Sequence, residues 1–292
     1  MVMQRNSKLN RILYKNHIVL RDSATVVRAE KNKVNLNAWI QPEGKTHHNV
    51  GDYLSVVVVE QLCKLKGIDF GQEICRTKHL YAIGSILLGY QDATVWGSGF
   101  GYDKKNSFFT KIDAVLHRYY HKLDIRAVRG PETKRILEMM KIKCPEVYGD
   151  PAVLLPRFYK KKPTFEKEYV VIPHYSQWEN YKDVDNIVGT FTNDWQTFID
   201  KLLKAKLVIS GSLHGIIVAE AYGIPAIMLN ATPSEDITKY KDWYYSTGRY
   251  DFPIAKSVEE ALKMTSVPVS LDVIQNMQER LLATFPSDLW EN

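Results

Sequence analysis

The stretch with the most chemical potential is Leu207-Val208-Ile209-Ser210-Gly211-Ser212-Leu213-His214-Gly215. An apolar run enters a turn of small residues and passes directly into a helical pattern. Ser210 and Ser212 can cap that helix, and Gly211 and Gly215 permit tight turning and close approach. The free N–H groups around Ser212, Leu213 and Gly215 then form an anion site. His214 stands at its mouth, and an imidazole there can exchange protons near neutral pH. The competing reading is a capping turn with a packed histidine.

Three further stretches repeat the arrangement of strand, turn and helix. In Ala127-Val128-Arg129-Gly130-Pro131, Arg129 ends a strand, and its guanidinium can grip a carboxylate or phosphate with two parallel bonds. In His48-Asn49-Val50-Gly51-Asp52-Tyr53, Asp52 is either a helix cap or a group that orients or deprotonates a hydroxyl. His47 and His48 are adjacent and would point oppositely on a strand, which argues against a metal site. Val95-Trp96-Gly97-Ser98-Gly99-Phe100-Gly101 is a glycine-rich turn without the spacing or acidic partner of a dinucleotide fingerprint. Gly149-Asp150-Pro151 and Pro173-His174-Tyr175 read as turns.

The elements that must position these residues alternate. Strands are expected at Val34 to Ile40, Leu80 to Ile83, Ala93 to Trp96 and Ile125 to Val128. Helical spacing runs through Tyr53 to Lys66 and Ser107 to His121, and Pro131 begins another helix, where proline is tolerated. The prolines and lysines of Pro151 to Lys167 suggest a linker. The alternation restarts with strands at Tyr169 to Ile172, Ile187 to Thr190, Leu207 to Ile209 and Ala226 to Leu229. Helices are expected at Trp195 to Ala205, from the Ser-Leu-His-Gly turn through Tyr222, and at Leu271 to Thr284. The fold class is therefore α/β, with two Rossmann-like lobes facing a cleft. The expected division is a basic segment 1–33, a first lobe 34–156, a linker 157–167 and a second lobe 168–292.

Composition narrows the partners. The formal charge is +6 over 292 residues, which suits small anions or a membrane surface and does not single out nucleic acid. Much of it lies before Val34, where Arg5, Lys8, Arg11, Lys15, Arg21, Arg28, Lys31 and Lys33 face only Asp22 and Glu30. Cys63, Cys75 and Cys144 have no zinc or redox spacing and are expected to be reduced core thiols. No apolar region follows the basic start, and no window approaches a membrane span. A cytoplasmic protein is expected, with any membrane contact peripheral, at the inner face.

In order, these segments resemble the polysaccharide pyruvyltransferase family. The matching pieces are Asn49-Val50-Gly51-Asp52, Gly97-Ser98-Gly99, Val128-Arg129-Gly130, Gly149-Asp150-Pro151, Ser210-Gly211-Ser212-Leu213-His214-Gly215 leading to Ala221-Tyr222-Gly223-Ile224-Pro225, and Tyr245-Ser246-Thr247-Gly248-Arg249. The resemblance implies a GT-B-like pair of lobes, phosphoenolpyruvate as donor substrate, no cofactor, and a hexose of a surface or capsular glycan as acceptor, free or lipid-linked. It places Arg129 and His214 at the donor, with Asp52 and His174 able to serve the acceptor hydroxyl. Asn49, Gly51, Gly97, Ser98, Gly99, Ser210, Ser212, Leu213, Gly215 and Arg249 become candidate substrate contacts. Where the family often has a middle glycine, this chain has Ser98. A nucleotide-sugar glycosyltransferase and a non-catalytic membrane-associated assembly factor are the rival readings.

Overall fold

The computed structural model describes residues 30–38, 49–87, 92–101, 122–230 and 236–291. The expected helix Ser107 to His121 and the basic stretch before Glu30 lie outside the described residues, as do His47 and His48.

Two four-stranded parallel sheets follow one another along the chain. The first runs β1 (Val34–Asn37), β2 (Lys78–Tyr81), β3 (Ala93–Trp96) and β4 (Leu123–Ala127), in that spatial order. The second runs β5 (Val170–Ile172), β6 (Val208–Ser210), β7 (Ala226–Leu229) and β8 (Ile254–Ala255), also in order. Every residue of β1, β3, β5, β6 and β7 is buried. In a parallel sheet covered on both faces neither side meets water, which is why β5, β6 and β7 are mainly apolar runs; β1, Val-Asn-Leu-Asn, instead buries the polar Asn35 and Asn37.

The longer helices are α1 (Val50–Leu65), α2 (Pro131–Met139), α3 (Trp195–Leu203), α4 (Leu213–Ala221), α5 (Thr238–Ser246) and α6 (Leu271–Ala283). Apart from His214, every residue of α4 is buried, including Glu220. A helix apolar all round belongs in a core, and α4 lies between the halves. It packs on α1, α3 and α5 and on a 3-10 turn, Pro151–Leu154. One apolar cluster joins Val58 of the first half, Val153 of that turn and Ile216 of the second half.

Several expectations are corrected. The first part of the proposed linker is core: Ala152, Val153, Leu154 and Leu155 are fully buried. Pro151 and Pro156 occupy the first turns of a 3-10 helix and of a short α-helix, Leu155–Phe158, where a missing N–H costs nothing. Ile187 to Thr190 is not a strand but one bridge, Ile187 to Val171, beside β5. Only Cys63 is a core thiol; Cys75 is exposed and Cys144 half-buried. The chain's end also returns to the first half. Trp96 donates its indole N–H to the Leu281 carbonyl at 3.0 Å, and Trp290 donates to the Phe70 carbonyl at 3.1 Å. Lys78 reaches the carbonyls of Leu289 and Glu291. The second sheet is thus not the sole home of residues 168–292. Among the described residues no helix is long and apolar enough to cross a membrane.

Candidate active site at three converging helix starts

Three helix starts meet in the interior. The first is α1, whose cap is Asn49 rather than Asp52: the Asn49 side chain accepts the Gly51 N–H at 3.1 Å. The second half helps hold it there. Val50 donates its N–H to the Thr190 carbonyl at 2.7 Å, and Asn49 bridges Phe191. The second start is the 3-10 turn capped by Asp150, whose Oδ1 accepts the Ala152 N–H at 3.0 Å. The third is α4, with Ser212 at the cap position but no side-chain capping bond. Its first-turn N–H groups therefore keep the partial positive charge of an uncapped helix end.

His214 sits where the three meet. Its side chain is 13% exposed, and its Nε2 lies 3.6 Å from Oδ2 of the fully buried Asp150. Neither of those two atoms has a hydrogen-bond partner. On its other side the ring presses on Gly51: a β-carbon there would overlap Nδ1. Asp52, one residue further along α1, is half-buried near this point.

The turn before α4 is braced from within. Ser210 is fully buried; its hydroxyl accepts the Ser212 N–H at 3.0 Å and donates to the Ser212 carbonyl at 2.8 Å. A side chain at Gly215 would collide with that hydroxyl. Leu213 is buried in the apolar core, so its side chain anchors the turn rather than facing a ligand. Tyr240 donates its hydroxyl to the Gly211 carbonyl at 2.6 Å.

His174 reaches the same turn by its backbone: its N lies 2.9 Å from the place of a β-carbon on Gly211. Its ring is engaged locally, with Nδ1 2.7 Å from the Ser176 hydroxyl, as the cap of the 3-10 turn Tyr175–Gln177. That nitrogen is thus held by its own turn. His174 also packs at a tilt against Tyr175, with ring centroids 4.4 Å apart, and Tyr175 meets Phe191 edge-on at 6.1 Å. Both Tyr175 and Phe191 are exposed. Tyr175 follows the residue whose backbone meets the Gly211 turn, and Phe191 bridges the Asn49 cap by its backbone.

The remaining candidates are structural in this arrangement. Arg129 is 1% exposed. It donates Nε–H to Asp242 Oδ2 at 3.2 Å, an Nη1 proton to the Ser85 hydroxyl at 3.0 Å, and an Nη2 proton to the Phe100 carbonyl. The expected forked grip on a donor anion is replaced by a buried crossbrace, because Asp242 of α5 supplies the carboxylate from within. Asp242 also accepts the N–H and hydroxyl of Thr133 at 2.9 and 2.6 Å, capping α2 from another element. Burial pushes its carboxyl above the usual range, against the pull of Arg129 and Thr133.

Gly97, Ser98 and Gly99 serve that brace. Gly97 has φ +92°, and a side chain there would strike Pro151. Gly99 leaves room for the Arg129 guanidinium, and the buried Ser98 donates its hydroxyl to the Gly84 carbonyl at 2.7 Å. The segment is packing rather than an open cradle. Arg249 is likewise committed. Its fork meets both oxygens of the fully buried Glu220 at 2.7 Å, and its guanidinium lies over the Tyr244 ring at 4.5 Å. Trp243 donates its indole N–H to Glu220 at 2.6 Å. Burial raises the Glu220 carboxyl, and Arg249 and Trp243 oppose that shift.

Asp150 was not among the expected site residues. Its signals in the sequence are a Gly-Asp-Pro turn and that turn's place among the segments that resemble the family; nothing local says that it meets His214. Among the described residues no group of three or more metal-ligating side chains gathers.

Comparison with known proteins adds the relationship. The chain is 29% identical over 197 residues to an uncharacterised protein of Acanthamoeba polyphaga mimivirus, covering 61% of this chain and 62% of that one. It is 28% identical over 221 residues to the succinoglycan biosynthesis protein ExoV of Rhizobium meliloti (strain 1021), covering 69% and 62%. The matches thus span about 62% of the length of these curated relatives. A solved structure of a functionally uncharacterised protein from Klebsiella pneumoniae subsp. pneumoniae NTUH-K2044 overlaps 86% of this chain and 98% of that one, at TM-score 0.46 and 12% identity. The family model for polysaccharide pyruvyl transferase matches residues 49–232, from the Asn49 cap through the His214 helix to just beyond β7, and the chain belongs to that family.

Proposed function

We propose that the protein transfers the pyruvyl group of phosphoenolpyruvate to a hexose of an exopolysaccharide or capsular unit, as a ketal, releasing phosphate. The observation that carries this reading is the uncapped start of α4, with His214 in its first turn beside buried Asp150. Family membership and the likeness to ExoV support the polysaccharide side.

The chemistry needs few parts. One hydroxyl of a sugar diol adds to C2 of the enolpyruvyl group while C3 gains a proton. The second hydroxyl then closes on C2 as the C2–O bond to phosphate breaks, so one hydroxyl proton is lost to a base and the other leaves with phosphate or solvent. A helix N-terminus suits the donor's phosphate and carboxylate. His214 is the candidate proton donor to C3, and Asp52 at the start of α1 is the candidate base for the acceptor hydroxyl. Arg129 shapes the site from behind by bracing the Gly97–Gly99 loop. The exposed rings of Tyr175 and Phe191 offer apolar faces to the acceptor sugar. No redox or metal cofactor has a role in this scheme.

The two parallel sheets are read here as GT-B-like lobes, and the basic residues before Val34 as an electrostatic contact with anionic lipid near a lipid-linked acceptor. Phosphate release tests the proposal: it should require both phosphoenolpyruvate and a glycoside with a free diol. His214→Gln should lower the rate by about 10²–10⁴-fold while the fold survives. Phosphate release at the parent rate by folded His214→Gln would remove His214 from the chemistry.

A further inference from the structure

The geometry points to Asp150 as the residue that fixes the tautomer and orientation of His214, directing Nε2–H toward the carboxylate and leaving Nδ1 for the substrate. We propose this on three observations. Asp150 is fully buried, and only one of its oxygens has a hydrogen-bond donor, the Ala152 N–H at 3.0 Å. The other oxygen, Oδ2, is sealed from solvent without a hydrogen bond, and the atom it faces is His214 Nε2 at 3.6 Å. Nε2 is itself sealed and without a hydrogen bond, whereas Nδ1 lies on the Gly51 side, at the meeting of α1 and α4.

An unpaired buried acceptor costs about 1–3 kcal/mol. At 3.6 Å the contact is longer than a hydrogen bond, so a small ring movement toward Asp150 would satisfy both orphaned atoms at once. That movement requires a proton on Nε2, because a carboxylate can only accept. In the neutral ring Nδ1 is then the basic nitrogen. When Nδ1 takes a proton, the imidazolium stands against a buried negative charge that was there beforehand, which is the electrostatic arrangement suited to holding and returning a proton. Asp52 follows Gly51 in the first turn of α1, with its Oδ1 on the Gly84 side, and His174 and the Tyr240 hydroxyl reach the Gly211 turn before α4. Asp150 is fully buried, and its Oδ2 has no hydrogen-bond partner among the described residues. It does not touch the reacting atoms and is a positioning residue.

This inference rests on the proposed function only in assigning a use to Nδ1; the tautomer itself is measurable without substrate. Nitrogen-15 NMR of the full chain labelled at histidine should show His214, identified by its loss in His214→Gln, with the proton on Nε2 and an unprotonated Nδ1 in the neutral ring. Asp150→Asn is the variant to compare. Asparagine caps helices as well as aspartate does, so the Ala152 bond and the fold should survive, while an amide can present either an acceptor or a donor to the ring. The Nε2–H preference should weaken, and kcat should fall by about 10²-fold or more with little change in either KM. A wild-type ring protonated on Nδ1 would overturn the assignment, as would an unchanged tautomer in folded Asp150→Asn. If wild type shows the assigned tautomer yet releases no phosphate from phosphoenolpyruvate with any diol, the proposed function fails and the Asp150 assignment stands.

Discussion

Gly51 and His214 touch where α1 meets α4, with no room between them for a β-carbon. A helix start from the first half of the chain thereby sets the ring position of a residue carried by the second. Alanine normally stabilises a helix by up to ~1 kcal/mol over glycine. In Gly51→Ala that gain opposes the cost of displacing the imidazole. The overlap reaches the His214 β-carbon as well as the ring, so thermal stability should fall by about 1–3 kcal/mol of overpacking, while kcat falls by about 10²-fold, as expected for a ~1 Å misplacement. Parent-like activity in Gly51→Ala would show that the ring position does not matter.

The Arg129–Asp242 brace should appear as stability. Removing one partner of a buried ion pair costs about 3–5 kcal/mol, so Arg129→Ala should unfold at markedly lower denaturant. Arg129→Lys keeps the charge but loses the planar fork that serves Asp242, Ser85 and Phe100. It should lie between parent and alanine variant, with activity falling in step with stability. An Arg129→Lys protein as stable as the parent yet inactive would return Arg129 to direct substrate contact.

Arg249 should behave in the same way. Arg249→Ala leaves Glu220 buried with Trp243 as its remaining donor, and the loss should again be about 3–5 kcal/mol. Adding Glu220→Gln removes the stranded charge and should recover part of that loss. A double variant no more stable than Arg249→Ala in chemical denaturation would contradict the account of a paired buried charge.

The strands β3, β5, β6 and β7 are legible because burial on both faces favours apolar runs, and α4 because its start combines serines, glycines and a histidine. What escaped was pairing over distance. Arg129 looked like an anion grip because Asp242 lies more than a hundred residues away, and nothing local marks that carboxylate as its partner. Arg249 pairs over distance in the same way, its acceptor Glu220 being on α4. Pro151 to Lys167 reads as a linker because its prolines resemble punctuation; Pro151 and Pro156 sit instead at helix starts, where proline fits, and the apolar residues between them are buried between the halves. Asp150 stands in a turn that matches the family pattern, and nothing local marks His214 as its neighbour.

The aromatic pair beside the site should act on the acceptor alone. Tyr175→Ala and Phe191→Ala each remove an exposed ring next to the Gly211 turn or the Asn49 cap. Each should raise KM for the glycoside severalfold, roughly 1 kcal/mol of lost ring contact, and leave KM for phosphoenolpyruvate unchanged. Equal effects on both constants in steady-state kinetics would place the rings at the donor or in the fold.

The most direct measurement of pyruvyl transfer is the product formed from phosphoenolpyruvate and a 4,6-diol hexoside in deuterium oxide, read by NMR and mass spectrometry. The account predicts a cyclic pyruvate ketal whose methyl group carries one deuteron from solvent, formed in step with released phosphate and lost in His214→Gln. An unaltered hexoside, or turnover that consumes a nucleotide sugar and leaves phosphoenolpyruvate intact, would contradict it.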